Sequence, residues 1–378
     1  MQKPIRIFGD AIDGKAISQF HDAMRQDYAM RGALMPDAHL GYSLPIGAVI
    51  ATEGVVVPGW VGYDIGCGMS ALPLPVDAAS LAARREALRD ALYRSIPTGQ
   101  GVNGPAVHPL TDPGLRIADL SEAAQGIAQE GNRHWMRALG SLGGGNHFIE
   151  LGIDGTGQAW AIIHSGSRGT GHGIAAHHMG VAAAEGGKRA GEGHPGLRVD
   201  CADGEEYLND QQWACTFALA NRREMMHRVV RTAASVVGLY GEPDWSAFIN
   251  RNHNHVEAKD GVWVHRKGAT HAEAGMLGVI PGNMRDGSFI VRGKGNPESL
   301  CSSSHGAGRV LSRRQAKETL DLEEFRREME EAGIAARVEP DTLDESRRAY
   351  KDIFSVMDAQ RDLIEVLLHV RPVVNIKG

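Results

Sequence analysis

The sequence predicts an α+β fold, a single domain over residues 1–378 in which mainly antiparallel β-sheets form a central core flanked by helices. Strand-like and helix-like segments do not alternate regularly, which argues against a doubly wound parallel sheet. The 48 glycines fall in short clusters between periodic segments, and no repeat or low-complexity linker marks a domain boundary. The run IGAVIATEGVVVPG (46–59) reads as two strands around a turn at Glu53-Gly54, because β-branched residues cluster on both sides of a glycine. QAWAIIHSG (158–166), GVWVHRKG (261–268), GSFIVRG (287–293) and PVVNIKG (372–378) are further strands, each ending near a polar or glycine-rich turn. Asp77 caps a helix through DAASLAARREALRDALYR, with Leu81, Leu88 and Leu92 on one face; Tyr207 to Val237 and Leu322 to Met329 carry similar spacing. Ile353, Met357, Ile364 and Leu368 share one stripe and predict a helix over 350–370, ahead of Pro372 and a terminal strand.

With 42% hydrophobic and 23% charged residues in 378, the chain can bury a large core. No apolar run approaches the ~18 residues of a membrane span. The start, MQKPIRIFGD, lacks the apolar centre of a signal peptide, so a cytoplasmic monomer with no membrane partner is expected. Cys67, Cys201, Cys215 and Cys301 form no CxxC pair, which excludes a disulfide framework and a ribbon-type zinc site. A net charge of -6 excludes nucleic-acid binding by global positive charge but leaves room for a local basic groove. Many of the 17 histidines stand beside glycine, asparagine or serine, a setting that favours metal ligation over packing.

Five stretches place a histidine, cysteine or carboxylate in a glycine- or asparagine-rich turn beside a strand: MPDAHLGY (35–42), GYDIGCGM (62–69), LGGGNHFIEL (142–151), IIHSGSRGTGH (162–172) and NHNHVE (252–257). Metal sites collect ligands from separate loops in this way. Asp64 and Cys67 offer anions, and His147, His164 and His253 offer neutral nitrogens. Such a set suffices for two divalent ions when the thiolate bridges them. His172, His177 and His178 lack this setting and read as the solvated face of a helix. In CSSSHGAGRVLSRR (301–314), His305 precedes small residues whose backbone N–H groups can turn toward an anion, and a neutral imidazole is a nucleophile toward activated phosphorus. The same stretch also reads as a glycine-rich turn capping a helix that starts near Val310. GSFIVRGKG is not a Walker A loop: its spacing is wrong and no Ser or Thr follows Lys294.

MPDAHLG, VGYDIGCGM, LGGGNHFIEL, HSGSRGTGH, HNHV, RKGA, IPGNM, SFIVRG, SHGAGRV and the terminal IKG resemble, in this order, the motifs of RtcB-type RNA-splicing ligases, from about residue 30 to the end. The resemblance implies an RtcB-like fold and a GTP- and Mn2+-dependent ligase. Its partners would be RNA ending in a 3'-phosphate or 2',3'-cyclic phosphate and RNA beginning with a 5'-hydroxyl. Carried over by motif, Asp64, Cys67, His147, His164 and His253 would hold two Mn2+, with Cys67 bridging, and His305 would carry GMP, supported by Asp37. Asn146, Glu150, Asn254, Pro281, Gly282, Asn283, Met284, Ser288, Gly306, Ala307, Gly308 and Lys377 would surround the guanylate, Glu150 and Lys377 at the guanine edge. Arg168 and Arg309 would contact RNA or phosphate. Asn283 stands where the family has serine, and His255 where an aromatic residue often follows. These departures, with a short N-terminal region, suit a branch working in RNA repair instead of tRNA splicing. The metal ligands alone also support a GTP-independent phosphoesterase acting on RNA ends, and the pocket alone a non-catalytic RNA-end binder.

Overall fold

The computed structural model describes residues 3–111, 114–187 and 193–378, and it has helices packed around mostly antiparallel sheets, the predicted class. A five-stranded sheet runs in the order Ile5–Ile7, Ala29–His39, Ile46–Thr52, Val262–Lys267, Asn254–Lys259. The larger sheet follows Leu277–Pro281, Ser288–Gly293, Ile364–Lys377, Phe148–Ile153, Ala159–Ser165, Gly68–Leu74 and Ile249–Asn252, with Ala335–Ala336 added beside Ile364–Lys377. Among the described residues, these two sheets contain two parallel pairings, Ile5–Ile7 with Ala29–His39 and Ala335–Ala336 with Ile364–Lys377. No helix among these residues is long and apolar enough to cross a membrane.

The 36-residue helix Ala202–Val237 covers one face of the larger sheet. Its Met225, Met226 and Val229 pack with Leu72, Ile149, Ile163 and Val374 in one buried cluster. The same helix buries Asn221 and Arg222, whose donors are filled by backbone carbonyls and asparagine side chains near the strand ends. Arg222 donates to Gly66 O (2.9 Å), Ser165 O (2.8 Å), Asn250 Oδ1 (2.7 Å) and Asn252 Oδ1 (2.6 Å). Asn221 Nδ2 donates to Ser141 O and Gly166 O, each at 3.1 Å. A buried guanidinium is costly unless its donors are filled, so these bonds fix the strand-end loops against the helix.

Several expectations change. The segment 350–370 is a helix only over Ile353–Asp358, and Ile364 opens the 14-residue strand Ile364–Lys377. Ile364 and Leu368 are four apart, a spacing that fits a helical face and a strand's period of two equally well. The length of the strand settles the conflict, because it completes the larger sheet between Ser288–Gly293 and Phe148–Ile153. The helix capped by Asp77, whose Oδ2 accepts from Ser80 N at 2.8 Å, breaks at Arg84 into Ala78–Ala83 and Arg85–Ser95. Val55–Val56 follows the Glu53-Gly54 turn but pairs with Leu197–Arg198 instead of folding back on Ile46–Thr52. His178 is not solvated: it is buried, with Nε2 2.7 Å from the buried Asp210 Oδ2.

Candidate active site

Four adjacent strands of the larger sheet bring the predicted donors to one edge. Phe148 pairs with His164, His164 with Met69, and Gly68 with Asn252. Cys67 and His147 each precede a strand by one residue, and His253 follows one, so the register itself gathers Cys67, His147, His164 and His253. Gly66 takes φ +71°, which turns the chain between Asp64 and Cys67. Cys67 Sγ lies 3.4 Å from His147 Nε2 and 3.1 Å from His164 Nε2. Asp64 Oδ2 is 2.9 Å from His147 Nε2, and His253 Nε2 is 3.3 Å from His164 Nε2.

These residues fit divalent metal ions. His147 and His164 turn Nδ1 to the carbonyls of Leu142 (3.0 Å) and Asn146 (3.1 Å), which requires Nδ1–H and leaves each Nε2 lone pair facing the cluster. Two such lone pairs and a sulfur lie within 4.8 Å of one another; a single S–H can satisfy only one of the two imidazoles, whereas a divalent cation engages all three donors. Burial pushes the Cys67 thiol well up and holds His164 and His253 well below the ordinary imidazole range. Neutral imidazoles are ready ligands, whereas a buried thiolate needs a compensating positive charge.

His305 stands beside this cluster, its ring centroid 4.8 Å from that of His253. The fully buried Asp37 receives His305 Nδ1 at 2.7 Å, His305 N at 3.2 Å and Gly306 N at 3.3 Å, all on Oδ2. The carboxylate therefore places the neutral ring's proton on Nδ1 and makes Nε2 the nitrogen that carries the lone pair. Gly308 completes the turn at φ +74°, where a Cβ would meet Asp37 O at 2.0 Å. No helix starts at Val310: the next one is Arg313–Thr319, capped by Ser312. The glycine-rich turn is thus not itself a cap.

A cavity of about 260 Å³ opens from His164 and His305 along the larger sheet. Of the residues that the resemblance places around a guanylate, Asn146, Glu150, Pro281, Gly282, Asn283, Met284, the Gly306–Gly308 turn and Lys377 line it, whereas Asn254 and Ser288 do not. Glu150 Oε1 and Ser288 Oγ are buried and complete no hydrogen bond among the described residues. Burial pushes the Glu150 carboxyl up to about 8, and the neighbouring Ser288 hydroxyl offsets only part of that rise. Glu150 lines the cavity and keeps one oxygen without a partner among the described residues, which fits a ligand edge that carries donors.

Other assigned residues take supporting positions. Asn254 Nδ2 donates to Asp64 O (3.1 Å) and its Oδ1 accepts from Gly268 N (2.7 Å), tying the Asp64–Cys67 turn to the residue after Val262–Lys267. Asn283 Oδ1 accepts from Arg285 N and Asp286 N, each at 3.0 Å, so the departure from serine builds a local turn closed onto Asp286. Arg309 donates to Leu311 O, Tyr350 Oη and Asp344 O and braces the cavity wall. Arg168 lies on the Asp64 side and donates to Gly99 O at 3.0 Å. His255 lines a separate cleft, where its ring stacks on His271.

The motifs do not reveal Arg313, Glu345 and Tyr350, which line the cavity opposite the sheet. Glu345 receives Lys377 Nζ (2.8 Å), Tyr350 Oη (2.7 Å) and Arg313 Nη1 (2.7 Å). Burial opposes its charge, yet Lys377 and Arg313 hold it down to about 2. No glycine turn or strand marks Glu345 in DTLDESRRAY. Phe148 and Asn375 were findable, because strand alternation puts them on the faces of Glu150 and Lys377.

A family profile described as "tRNA-splicing ligase RtcB" matches residues 21–378. The chain is 38% identical to "RNA-splicing ligase RtcB1" of an Escherichia coli strain and 37% identical to "RNA-splicing ligase RtcB" of Escherichia coli K12. Each match covers 99% of this chain and 97% of the relative. It is 29% identical to "tRNA-splicing ligase RtcB" of Pyrobaculum aerophilum, over 99% of this chain and 95% of that one. The class these comparisons define is that of RNA ligases. The chain belongs to the RtcB family.

Proposed function

We propose that the protein is a GTP- and Mn2+-dependent ligase that joins RNA 3'-phosphate or 2',3'-cyclic phosphate ends to 5'-hydroxyl ends through a guanylate carried on His305. One observation carries the reading: Asp37 orients His305 through Nδ1, between the donor cluster and a cavity that holds an unpartnered carboxylate oxygen. Asp64, Cys67, His147, His164 and His253 would hold the two ions. When bound, the ions would neutralise phosphate charge and polarise the reacting phosphorus.

His305 Nε2 attacks the α-phosphorus of GTP; an N–P bond forms as the bond to pyrophosphate breaks. An oxygen of the RNA 3'-phosphate then takes the guanylate, and the N–P electron pair returns to Nε2. The 5'-hydroxyl oxygen attacks that RNA phosphorus, its proton is lost to solvent, and GMP leaves. A cyclic end is first opened by water. Asn146, the Gly306–Gly308 backbone and the Asn283 turn bind phosphate and ribose, while Glu150 and Lys377 face the base. The Asn283 turn suits the same nucleotide, so the departure from serine does not remove the pocket.

Incubation with α-labelled GTP and Mn2+ is expected to give an acid-labile, alkali-stable adduct that His305→Ala abolishes. Joining of 5'-hydroxyl and 3'-phosphate RNAs should require the same residue. No adduct on the wild-type protein would sink the mechanism. Opening of cyclic phosphates without GTP, at an undiminished rate in His305→Ala, would favour the phosphoesterase reading instead.

Glu150 gives this reading a pH signature. Its carboxyl, raised to about 8, is neutral at pH 7 in the free protein, and a guanine edge that offers N–H donors requires the ionised form. Base binding must then expel one proton below that value. Guanine-nucleotide affinity is expected to rise with pH by a factor approaching about 10 per unit and to level off near pH 8. Glu150→Gln should flatten the profile. Calorimetry in buffers of different ionisation enthalpy checks it, and an unchanged slope in the variant would remove Glu150 from the base contact.

A further inference from the structure

His255, a departure that the guanylate steps leave unused, borders a cleft of about 270 Å³ where two sheet edges meet. Ile249–Asn252 ends the larger sheet and Asn254–Lys259 ends the five-stranded one, and the helix Ala202–Val237 adds Gln212, Cys215 and Leu219 to the lining. Arg251, Asn252 and His255 line the cleft from the strands.

These strand side chains offer donors that lack acceptors. Arg266 is fully buried and donates from Nη1 to His255 Nε2 at 3.3 Å, which puts the proton of the neutral ring on Nδ1. His255 is 6% exposed, and that Nδ1 has no partner among the described residues. Arg251 donates from Nη1 to Asn250 O at 3.2 Å, but its Nε is buried and likewise unpartnered. Asn252 Nδ2 reaches Cys215 O only at 3.5 Å. A buried N–H without an acceptor is costly, and several along one cleft mark the place of a ligand that accepts.

Charge narrows the ligand. Arg266 neutralises Glu257 through Nη1, and Lys259 pairs with Glu273 at 2.8 Å, which leaves the Arg251 guanidinium uncompensated among the described residues. His255, Glu257 and His271 hold donor atoms within 4.8 Å of one another, the pattern of a metal site. Arg266 already lies against two of the three and is anchored by Ser302 Oγ (2.9 Å) and Leu300 O (3.3 Å), so a cation would face a fixed positive charge. We propose that the cleft binds a phosphate group, with Arg251, His255 Nδ1–H and Asn252 Nδ2 as its donors. A guanidinium pairs well with phosphate, and donors from three side chains on two strands suit a four-oxygen anion better than a carboxylate. The bound group ties together the edges on either side of His253, whose backbone N donates to Cys67 O at 2.7 Å. It thus brackets a donor that the ligase reading gives to the metal, while its own chemistry is independent of that reading.

The test soaks crystals of the full-length, Mn2+-loaded protein in tungstate, because tungsten and manganese are told apart by anomalous scattering. A tungsten peak is expected between Arg251 and His255, with none there in Arg251→Gln. In solution, labelled inorganic phosphate should bind about 10-fold more weakly to Arg251→Gln and to His255→Phe, and at this site equally to the wild type and His305→Ala. His255→Phe keeps a ring against His271, so with an unchanged circular dichroism spectrum its loss reports the donor and not the fold. Phosphate should also slow hydrogen exchange over residues 249–259 in the wild type and not in the two variants. Displacement of tungstate by inorganic phosphate assigns the site to the free anion; displacement only by an RNA with hydroxyls at both ends assigns it to a backbone phosphate. Displacement by acetate where neither succeeds overturns the proposal, as does phosphate binding that His305→Ala loses and Arg251→Gln keeps. Manganese among His255, Glu257 and His271, with no tungsten beside them, overturns it too. Labelling of His305 by GTP is read separately and decides the ligase reading alone.

Discussion

Cys67→Ala is expected to fold, to lose bound Mn2+ and to lose labelling by GTP in the same step. The substitution removes one sulfur from a site that is 2% exposed and leaves the strand Gly68–Leu74 and its neighbours unchanged. What disappears is the atom 3.4 Å from His147 Nε2 and 3.1 Å from His164 Nε2, a position from which an anion reaches both imidazoles. Without a thiolate, the remaining donors are one carboxylate and three imidazoles, too little negative charge for two divalent ions. Loss of outer-shell support alone typically costs about 10–100-fold in affinity or activity, so loss of a bridging ligand should exceed about 100-fold. Metal content by mass spectrometry, circular dichroism and the guanylate label together decide it. A folded variant that keeps metal and label would overturn the bridging role. Cys67→Ser separates size from charge: the hydroxyl fits the space but does not ionise, and it should behave like alanine.

The donor turn stood out because its chemistry is written locally. Asp64 and Cys67 sit three apart around a glycine, and each histidine occupies a polar turn, a place where packing does not call for a ring. Their convergence was not local. It depends on the register that puts Phe148 beside His164 and Gly68 beside Asn252, and on Arg222, whose donors tie Gly66 and Ser165 to one helix. Arg222 sits in an otherwise ordinary helical pattern, so its role was invisible. The helix expected over 350–370 failed where a four-residue spacing serves two periods, and sheet pairing decided the outcome at Ile364. His178 was misread for a related reason. Histidines on a helix look solvated until the partner is known, and Asp210 lies on another helix. Glu345 was missed because it is defined by Lys377, Arg313 and Tyr350, residues that meet only in the folded chain.

Asp37→Asn is expected to slow labelling of His305 by about 10³-fold while metal content stays at the wild-type level. Asp37 makes no contact with the donor cluster in its hydrogen bonds; its Oδ2 serves His305 Nδ1, His305 N and Gly306 N. A carboxylate in that place can only accept, so in the neutral ring Nδ1 carries the proton and Nε2 the lone pair. An amide of the same shape has a face that donates. Two backbone N–H groups compete with the imidazole for its single oxygen, and once the NH2 group turns to Nδ1 the proton moves to Nε2, where it blocks attack on phosphorus. In a catalytic triad the same exchange of aspartate for asparagine costs about 10⁴-fold through the wrong tautomer. The expectation here is set lower because the backbone donors still orient part of the population. Lys351, whose Nζ donates to Pro36 O and Ala38 O, stays beside the site in either case, so the loss reports the tautomer and not a collapsed loop. The proton on Nε2 is directly visible in the nitrogen chemical shifts of labelled histidine, independent of turnover. If Asp37→Asn labels at the wild-type rate, or labels slowly with the His305 tautomer unchanged, then Asp37 does not act by fixing the proton on Nδ1.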